Sequence, residues 1–271
     1  MLNAREIVLK KKILSLPDLP TLSANVMELL QMLNNDSAQM SEIINKIKKD
    51  PVLVTKMLRM VNSSLYSLPR KIENVDQVAV LLGMQNIKQL IMSSSVMDVL
   101  SHRDKALWDR AYNIADFSRQ LIKRKNFVVG ANFAITALVK DIGQVVLKIF
   151  NADSMKMVAH QVETQGIPPH VSEQSILGVD HAVVGGWLLE SWDLDQDIVV
   201  PVFYSHNSEE ISEDYVKEIA LLQVLDFIDC EVADEPCYPL SGGLLEAAGI
   251  GDWMMDELAA EYREFLTTTV V

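Results

Sequence analysis

The chain has 271 residues, of which 49% are hydrophobic, with a net charge of -13 and only 11 glycines, 9 prolines and 2 cysteines. That length suffices for one large domain or two packed lobes with a sizeable core, and the scarcity of Gly and Pro beside abundant Leu, Ile, Val, Met and Ala excludes a turn-rich β architecture in favour of an all-α one. A pI near 4.8 excludes nonspecific nucleic-acid binding, which needs clustered Lys and Arg. Cys230 and Cys237 fit neither a disulfide framework nor a four-ligand zinc site.

In the first fourteen residues, Lys10, Lys11 and Lys12 follow the apolar residues instead of preceding them, which is not the order of a secretory signal. Nowhere does the chain approach the roughly 18 consecutive apolar residues of a membrane span. A cytoplasmic protein is expected, with no membrane partner. Leu22, Val26, Leu29, Leu30 and Leu33 repeat at helical spacing and predict a helix over 22–33. A second follows from Met40, with Ile43, Ile44 and Ile47 on one face and Lys46, Lys48 and Lys49 on the other. Asp50 then precedes Pro51: a carboxylate that can cap a third helix and a proline at its first position, where a missing N–H costs nothing. That helix buries Val54, Met57, Leu58 and Val61 and ends at Asn62, Ser63 and Ser64, whose side chains compete for backbone hydrogen bonds. Helices over 76–82 and 84–99 flank Gly83, whose freedom at positive φ suits a tight corner.

A polar break at 101–105 divides this N-terminal lobe, 1–100, from a second lobe, 101–271. Helices are expected over 107–125, 131–139, 144–150, 154–164, 170–176, 181–191, 196–206, 212–230 and, after a loop with Pro236 and Pro239, 252–265. No internal repeat interrupts them. The slight excess of basic residues in the first hundred and the strong acidic excess thereafter read most simply as a solvated surface on the C-terminal helices.

Three segments occur in a recognisable order: Leu16-Pro17-Asp18-Leu19-Pro20, the run from Asp50-Pro51-Val52-Leu53 to Asn62-Ser63-Ser64-Leu65-Tyr66, and Leu81-Leu82-Gly83-Met84-Gln85-Asn86-Ile87. Together they resemble the HDOD family, a group of bacterial signalling modules related to the HD metal-dependent phosphohydrolases. The resemblance covers about residues 13–230, with the remainder as a C-terminal helical extension. It implies a multi-helix HDOD/HD-like fold of two packed helical lobes.

HD enzymes hold a divalent cation with a His-Asp doublet, an earlier His and a later Asp, since imidazole nitrogen and carboxylate oxygen are competent donors and the cation generates hydroxide and neutralises a phosphoryl group. Here the matching segment is Leu138-Val139-Lys140-Asp141-Ile142. Asp141 remains, but Lys140 stands where the His would be, and a protonated amine has no lone pair to give. The earlier His, beside a Trp matched to Trp108, is aligned with Arg110. Later motifs are better kept, in Asp180-His181 with Gly185, in Tyr204-Ser205-His206 followed by Asn207, and in Asp226 on an apolar helix. The resemblance therefore implies four residual ligands, Asp141, His181, His206 and Asp226, with Arg110 and Lys140 as cations that pair with a carboxylate or grip a phosphate. Each survivor also has a plainer role. Asp180 and His181 suit a helix start, His206 a helix end, and a buried Asp226 needs a partner that Lys140, Arg110 or a metal would equally supply. Glu173 lines the same hollow on a weak signal, whereas His102, His160 and His170 match no motif and read as surface or capping residues.

The expected function is a non-catalytic bacterial signal-transduction or interaction module with a degenerate HD metal site, a signalling protein as partner and no cofactor. The alternative is a metal-dependent phosphohydrolase acting on a nucleotide or cyclic nucleotide, which would use manganese, magnesium, iron, nickel or zinc. A third reading retains a small nucleotide ligand without turnover, its phosphate held by Lys140 and Arg110.

Overall fold

Helical periodicity is realised through most of the described residues. The structure, a computed structural model, describes residues 4–268 apart from 36–37, 64–65, 67, 69, 208–212, 238–239, 241, 248 and 252, and every regular element among the described residues is helical. The expected helix-stop residue Ser64, the helix starts at Ser212 and Asp252, and Pro239 of the connecting loop lie outside the described residues. No helix among those described is long and apolar enough to cross a membrane. The chain divides into two units, one of Pro20–Tyr112 and one of Met1–Leu19 with Asn113–Val271.

In the first unit, α2 (Ala24–Leu33) starts at Ser23, whose hydroxyl accepts from the Val26 N–H at 3.2 Å. α3 (Met40–Lys48) buries Ile43, Ile44 and Ile47 as its spacing predicts. α4 (Pro51–Val61) has Asp50 as its cap, one carboxylate oxygen accepting from the Leu53 N–H at 3.0 Å and the other from Asn25 Nδ2 at 2.9 Å. The Leu53 bond, with help from Asn25 and against some desolvation, holds the Asp50 carboxyl below its usual range. At the far end Asn62 accepts from the Ile72 N–H at 2.7 Å and donates to the carbonyls of Ile72 and Leu58 at 2.8 and 2.7 Å. It thus anchors the chain that follows α4. α5 (Val75–Arg103) is broken at Gly83, where φ of +71° makes the predicted corner, and it collects α2, α3 and α4 against its length.

The polar break is shorter than 101–105. α5 continues to Arg103, and Asp104 alone separates it from α6 (Lys105–Lys125), its carboxylate accepting from the Leu107 N–H at 3.0 Å. A single capping residue suffices to stop one helix and start the next. The contacts also divide the chain differently from a boundary at residue 100, because Tyr112 is the last residue of the first unit and residues 1–19 group with the other.

In the second unit α1 (Ala4–Leu14) packs on α11 (His181–Ser191) with Ile13 fully buried. The helices between are α7 (Phe133–Val139), α8 (Ile142–Phe150), α9 (Ala152–Gln165) and α10 (Pro169–Leu177). α12 (Gln196–Phe203) ends three residues before His206, with Tyr204 as its cap, so the predicted extension to 206 is a turn. A 3-10 turn at Glu213–Tyr215 leads into α13 (Val216–Val232), which buries residues on every side, as a helix at the centre of a core does. α14 (Gly242–Ala247) was not expected from the sequence, being six residues with little periodicity to read, and α15 (Trp253–Thr268) packs against α13.

One crossing sets the position of the site. α8 and α11 approach so closely that a Cβ on Gly143 would lie 1.9 Å from the His181 carbonyl oxygen and 2.7 Å from the Gly185 nitrogen. Only a residue without a side chain fits there. The crossing brings the start of α8, at Asp141, beside the start of α11, at His181.

Candidate functional site: a buried chain of charges

Five stretches of the second unit contribute to one polar cluster. Lys140 caps the end of α7 and Asp141 opens α8. Glu173 lies on α10, Asp180 and His181 start α11, His206 follows α12 and Asp226 sits among the apolar residues of α13. Asp180 is the N-cap of α11, accepting from the Val183 N–H at 2.9 Å, so its capping role is real.

Lys140 occupies the middle. Its side chain is 3% exposed, and its Nζ lies 2.5 Å from Asp141 Oδ2 and in direct ion-pair contact with Asp226. The other oxygen of Asp141 is 3.3 Å from His181 Nε2, while His181 Nδ1 is 2.6 Å from Glu173 Oε2. The same Glu173 oxygen accepts the His181 backbone N–H at 2.8 Å. On the far side, Asp226 Oδ2 is 3.6 Å from His206 Nε2, and His206 Nδ1 is 4.0 Å from Asp180. Charges therefore alternate from Glu173 through His181, Asp141 and Lys140 to Asp226, beside which stands the His206 ring.

Burial alone would discharge these groups, and their neighbours overcome it. Desolvation works against the Lys140 ammonium, yet the carboxylates of Asp141 and Asp226 together raise its pKa above the ordinary lysine value. Burial pushes Asp141 up, but the Lys140 charge and the His181 hydrogen bond bring it well below the usual carboxylate range. Asp226 is likewise lowered by Lys140 and His206 against burial and against repulsion from Asp141. His181 is raised well above 6.5 by Glu173 and Asp141 despite desolvation. Both of its ring nitrogens face carboxylates, and only the imidazolium donates on both sides.

His170 was read from the sequence as a surface or capping residue, and the structure corrects this. Its ring stacks on His206 with centroids 4.3 Å apart, and His206 in turn meets His181 edge-on at 4.5 Å. Burial, followed by the positive charge of His206 and His181, lowers its pKa to about 3. Position in a motif could not have found it, because α10 supplies it through tertiary packing. The same holds for Glu173, whose signal in the sequence was weak. His160 is exposed, and His102 Nδ1 stands 2.9 Å from the Asp98 carbonyl near the end of α5. Arg110, expected beside Lys140, is half-buried on the stretch of α6 that groups with the first unit. The cations acting on Asp141 are Lys140 and His181.

The HD resemblance implies a divalent cation at these residues. Among the described residues no three His, Cys, Asp or Glu side chains are placed to hold one. The chemical reason is visible: Asp141 and Asp226 both turn to an ammonium, and an imidazolium facing two carboxylates has no lone pair to offer. Lys140 is taken up by two carboxylates.

The protonation pattern is directly measurable. Ring-nitrogen NMR of the five histidines should show one imidazolium persisting above pH 6.5 and lost in His181→Gln, and one ring neutral down to about pH 3 and lost in His170→Gln. Stability follows with opposite signs. The His181 contribution is complete below the unfolded pKa of about 6.5 and is lost as pH rises through its folded value. His170 acts in the other direction, since the unfolded chain takes up a proton first as pH falls from 6.5 toward 3. The lowered carboxylates add stability above about pH 3.9 that disappears as pH falls through their folded values. Stability should therefore peak near pH 6.5, and a His181 ring titrating near 6.5 would break the alternating-charge description.

A profile of the HDOD domain family matches residues 19–208. Asp226 lies beyond the matched segment, although it completes the charge chain. An uncharacterized protein of Treponema pallidum (strain Nichols) is 26% identical over 226 residues, covering 80% of this chain and 44% of its own length. The chain thus spans less than half of that relative. Among solved structures, a Shewanella amazonensis SB2B protein with a provisional phosphohydrolase name superimposes with a TM-score of 0.72 at 22% identity over 94% of this chain and 93% of its own. An HDOD domain protein of unknown function from Geobacter sulfurreducens gives 0.71 at 20% identity over 96% and 98%. A Marinobacter aquaeolei VT8 protein with a provisional signal-transduction name gives 0.72 at 18% identity over 98% of this chain and 65% of its own. At these identities the likeness speaks to fold alone.

Proposed function

This chain belongs to the HDOD domain family, and from that premise we propose that it is a non-catalytic signalling or interaction module in which a lysine-centred ion chain stands where HD enzymes hold metal. The observation that carries the reading is Lys140, buried and bridging Asp141 and Asp226. An ammonium supplies the positive charge that two buried carboxylates require, but it neither activates water nor polarises a phosphoryl oxygen as a divalent ion does. The cluster then acts as a rigid clasp joining α7, α8, α10, α11 and α13, and the output is contact with a protein partner through the helical surface. The provisional signal-transduction name of the Marinobacter protein is consistent with this role.

The phosphohydrolase alternative has one observation in its favour: Asp141, His181, His206 and Asp226 do converge, as the metal reading of the sequence requires. It also requires Lys140 to leave its two carboxylates.

Elemental analysis after exposure to excess manganese, iron, nickel and zinc, followed by dialysis, separates the two. Wild type should retain far less than one equivalent of any metal, and Lys140→His, which restores a neutral donor, should retain more. Near-stoichiometric metal in wild type that disappears in Asp141→Ala would overturn the module reading and direct attention to phosphoesters.

A further inference from the structure

The end of α13 brings the two cysteines of the chain together. α13 closes on a residue in the left-handed region, Asp234 at φ of +55°, which follows the Ala233 cap. The Asp234 N–H donates to the Glu231 carbonyl at 3.3 Å and the Glu235 N–H to the Cys230 carbonyl at 2.9 Å. These are the two bonds of a Schellman turn, which reverses the chain at a helix end. Pro236 cannot resume the helix, and the returning chain lays Cys237 back over α13.

Cys237 Sγ stands 3.8 Å from the Phe227 carbonyl oxygen, one turn before Cys230, and 3.4 Å from that of Glu235, and its thiol is in side-chain hydrogen-bond contact with Cys230. The six residues between the cysteines give no such sign in the sequence; the turn supplies it. Both cysteines are half-buried, so a small molecule can reach the pair. Among the described residues no third His, Cys, Asp or Glu completes a metal site with them. Burial, then the charges of Glu231 and Glu235, hold the Cys237 thiol above its ordinary pKa against the Cys230 hydrogen bond. The same carboxylates repel an anionic oxidant and leave a neutral one free to approach.

We propose that Cys230 and Cys237 form a reversible dithiol–disulfide site, oxidised by uncharged small-molecule disulfides, that ties the loop after α13 to the last turn of that helix. The thiolate of one cysteine attacks a sulfur of the small disulfide, which gives a mixed disulfide and releases one small thiolate. The thiolate of the other cysteine attacks the protein sulfur of the mixed disulfide and releases the second. The two protons lost by the cysteines go to the released thiolates, so two electrons pass from the protein to the oxidant and two small thiols leave. Oxidation acts where α15 is attached, because Asp229 accepts from Tyr262 Oη at 2.8 Å and Glu231 pairs with Arg263 at 3.0 Å on either side of Cys230. The site depends on neither the ion chain nor the module role.

The test equilibrates the reduced full chain with mixtures of 2-hydroxyethyl disulfide and 2-mercaptoethanol, quenches with acid, alkylates the remaining thiols and reads the masses. The native chain should pass to a monomer that has lost two hydrogens, takes no alkyl group and, after cleavage at Glu231 and Glu235, yields a linked peptide of Cys230 and Cys237. The same equilibrium in urea shows how readily the two sulfurs meet in the unfolded chain, and the native chain should favour the disulfide about tenfold or more over it. Cys230→Ser and Cys237→Ser should each stop at one mixed disulfide. Asp234→Pro, which cannot adopt φ of +55°, should lose the native advantage while its helical circular dichroism is retained; if that variant fails to fold, the wild-type comparison decides alone. Native pairing no better than in urea, two mixed disulfides in place of the pair, linkage between chains, or the full native advantage in a folded Asp234→Pro would each overturn the proposal.

Discussion

Lys140→Ala is expected to lower the stability of the second unit by about 3–5 kcal/mol, the usual cost of removing one partner from a buried ion pair. For a unit of this size that corresponds to a fall in Tm of roughly 6–20 °C. The cost comes from what remains. Asp141 and Asp226 would face each other in the interior, and each already suffers from burial while Asp226 is also repelled by Asp141. The loss is therefore one of compensation, and it should be recovered by removing the charges together. Lys140→Met combined with Asp141→Asn and Asp226→Asn should unfold much closer to wild type than Lys140→Ala does, because matched neutral groups of similar volume carry no desolvated charge. Thermal and urea unfolding of the two variants decide the matter. A Lys140→Ala protein as stable as wild type would mean that the ammonium is not neutralising these carboxylates.

Gly143→Ala is expected to be at least as damaging for a steric reason. The added methyl would meet the His181 carbonyl oxygen at 1.9 Å and the Gly185 nitrogen at 2.7 Å, and backbone cannot rotate aside as a side chain can. α8 and α11 must separate, with a cost of about 3 kcal/mol or more and a Tm fall of roughly 6 °C or more. Because the same crossing holds Asp141 beside His181, the imidazolium signal of His181 should move as well. Gly130→Ala is the control, since the nearest atom to its new methyl is Glu218 Oε1 at an ordinary 3.6 Å. Equal behaviour of the two variants in unfolding would contradict the close crossing.

Much of the architecture was legible because it is written in local chemistry. Ile43, Ile44 and Ile47 repeat with the helical period and are buried together. Asp50 and Pro51 specify a helix start by hydrogen-bonding capacity and fixed φ, and Gly83 specifies a corner by its freedom at φ of +71°. Such signals act over a few residues, so one sequence suffices to read them. Errors fell where the local signal was short or shared. Residues 101–103 are polar yet remain helical until Asp104 caps the next helix, α14 is too short to show a period, and α12 stops before His206.

The sequence by itself showed Lys140 where the resemblance expects a His, a residue that has no lone pair to give while it is protonated. Its resemblance to the HD motif also marked Asp141, His181, His206 and Asp226 as a set. Only the tertiary structure decided their partners. Asp226 needed some cation, and packing chose Lys140, 86 positions away in the chain. Packing likewise drew in Glu173, which makes His181 an imidazolium, and His170, which stacks neutral on His206. Titration states and ion pairs depend on burial and on distances of a few ångströms between groups far apart in sequence, and those quantities exist only once the helices have crossed.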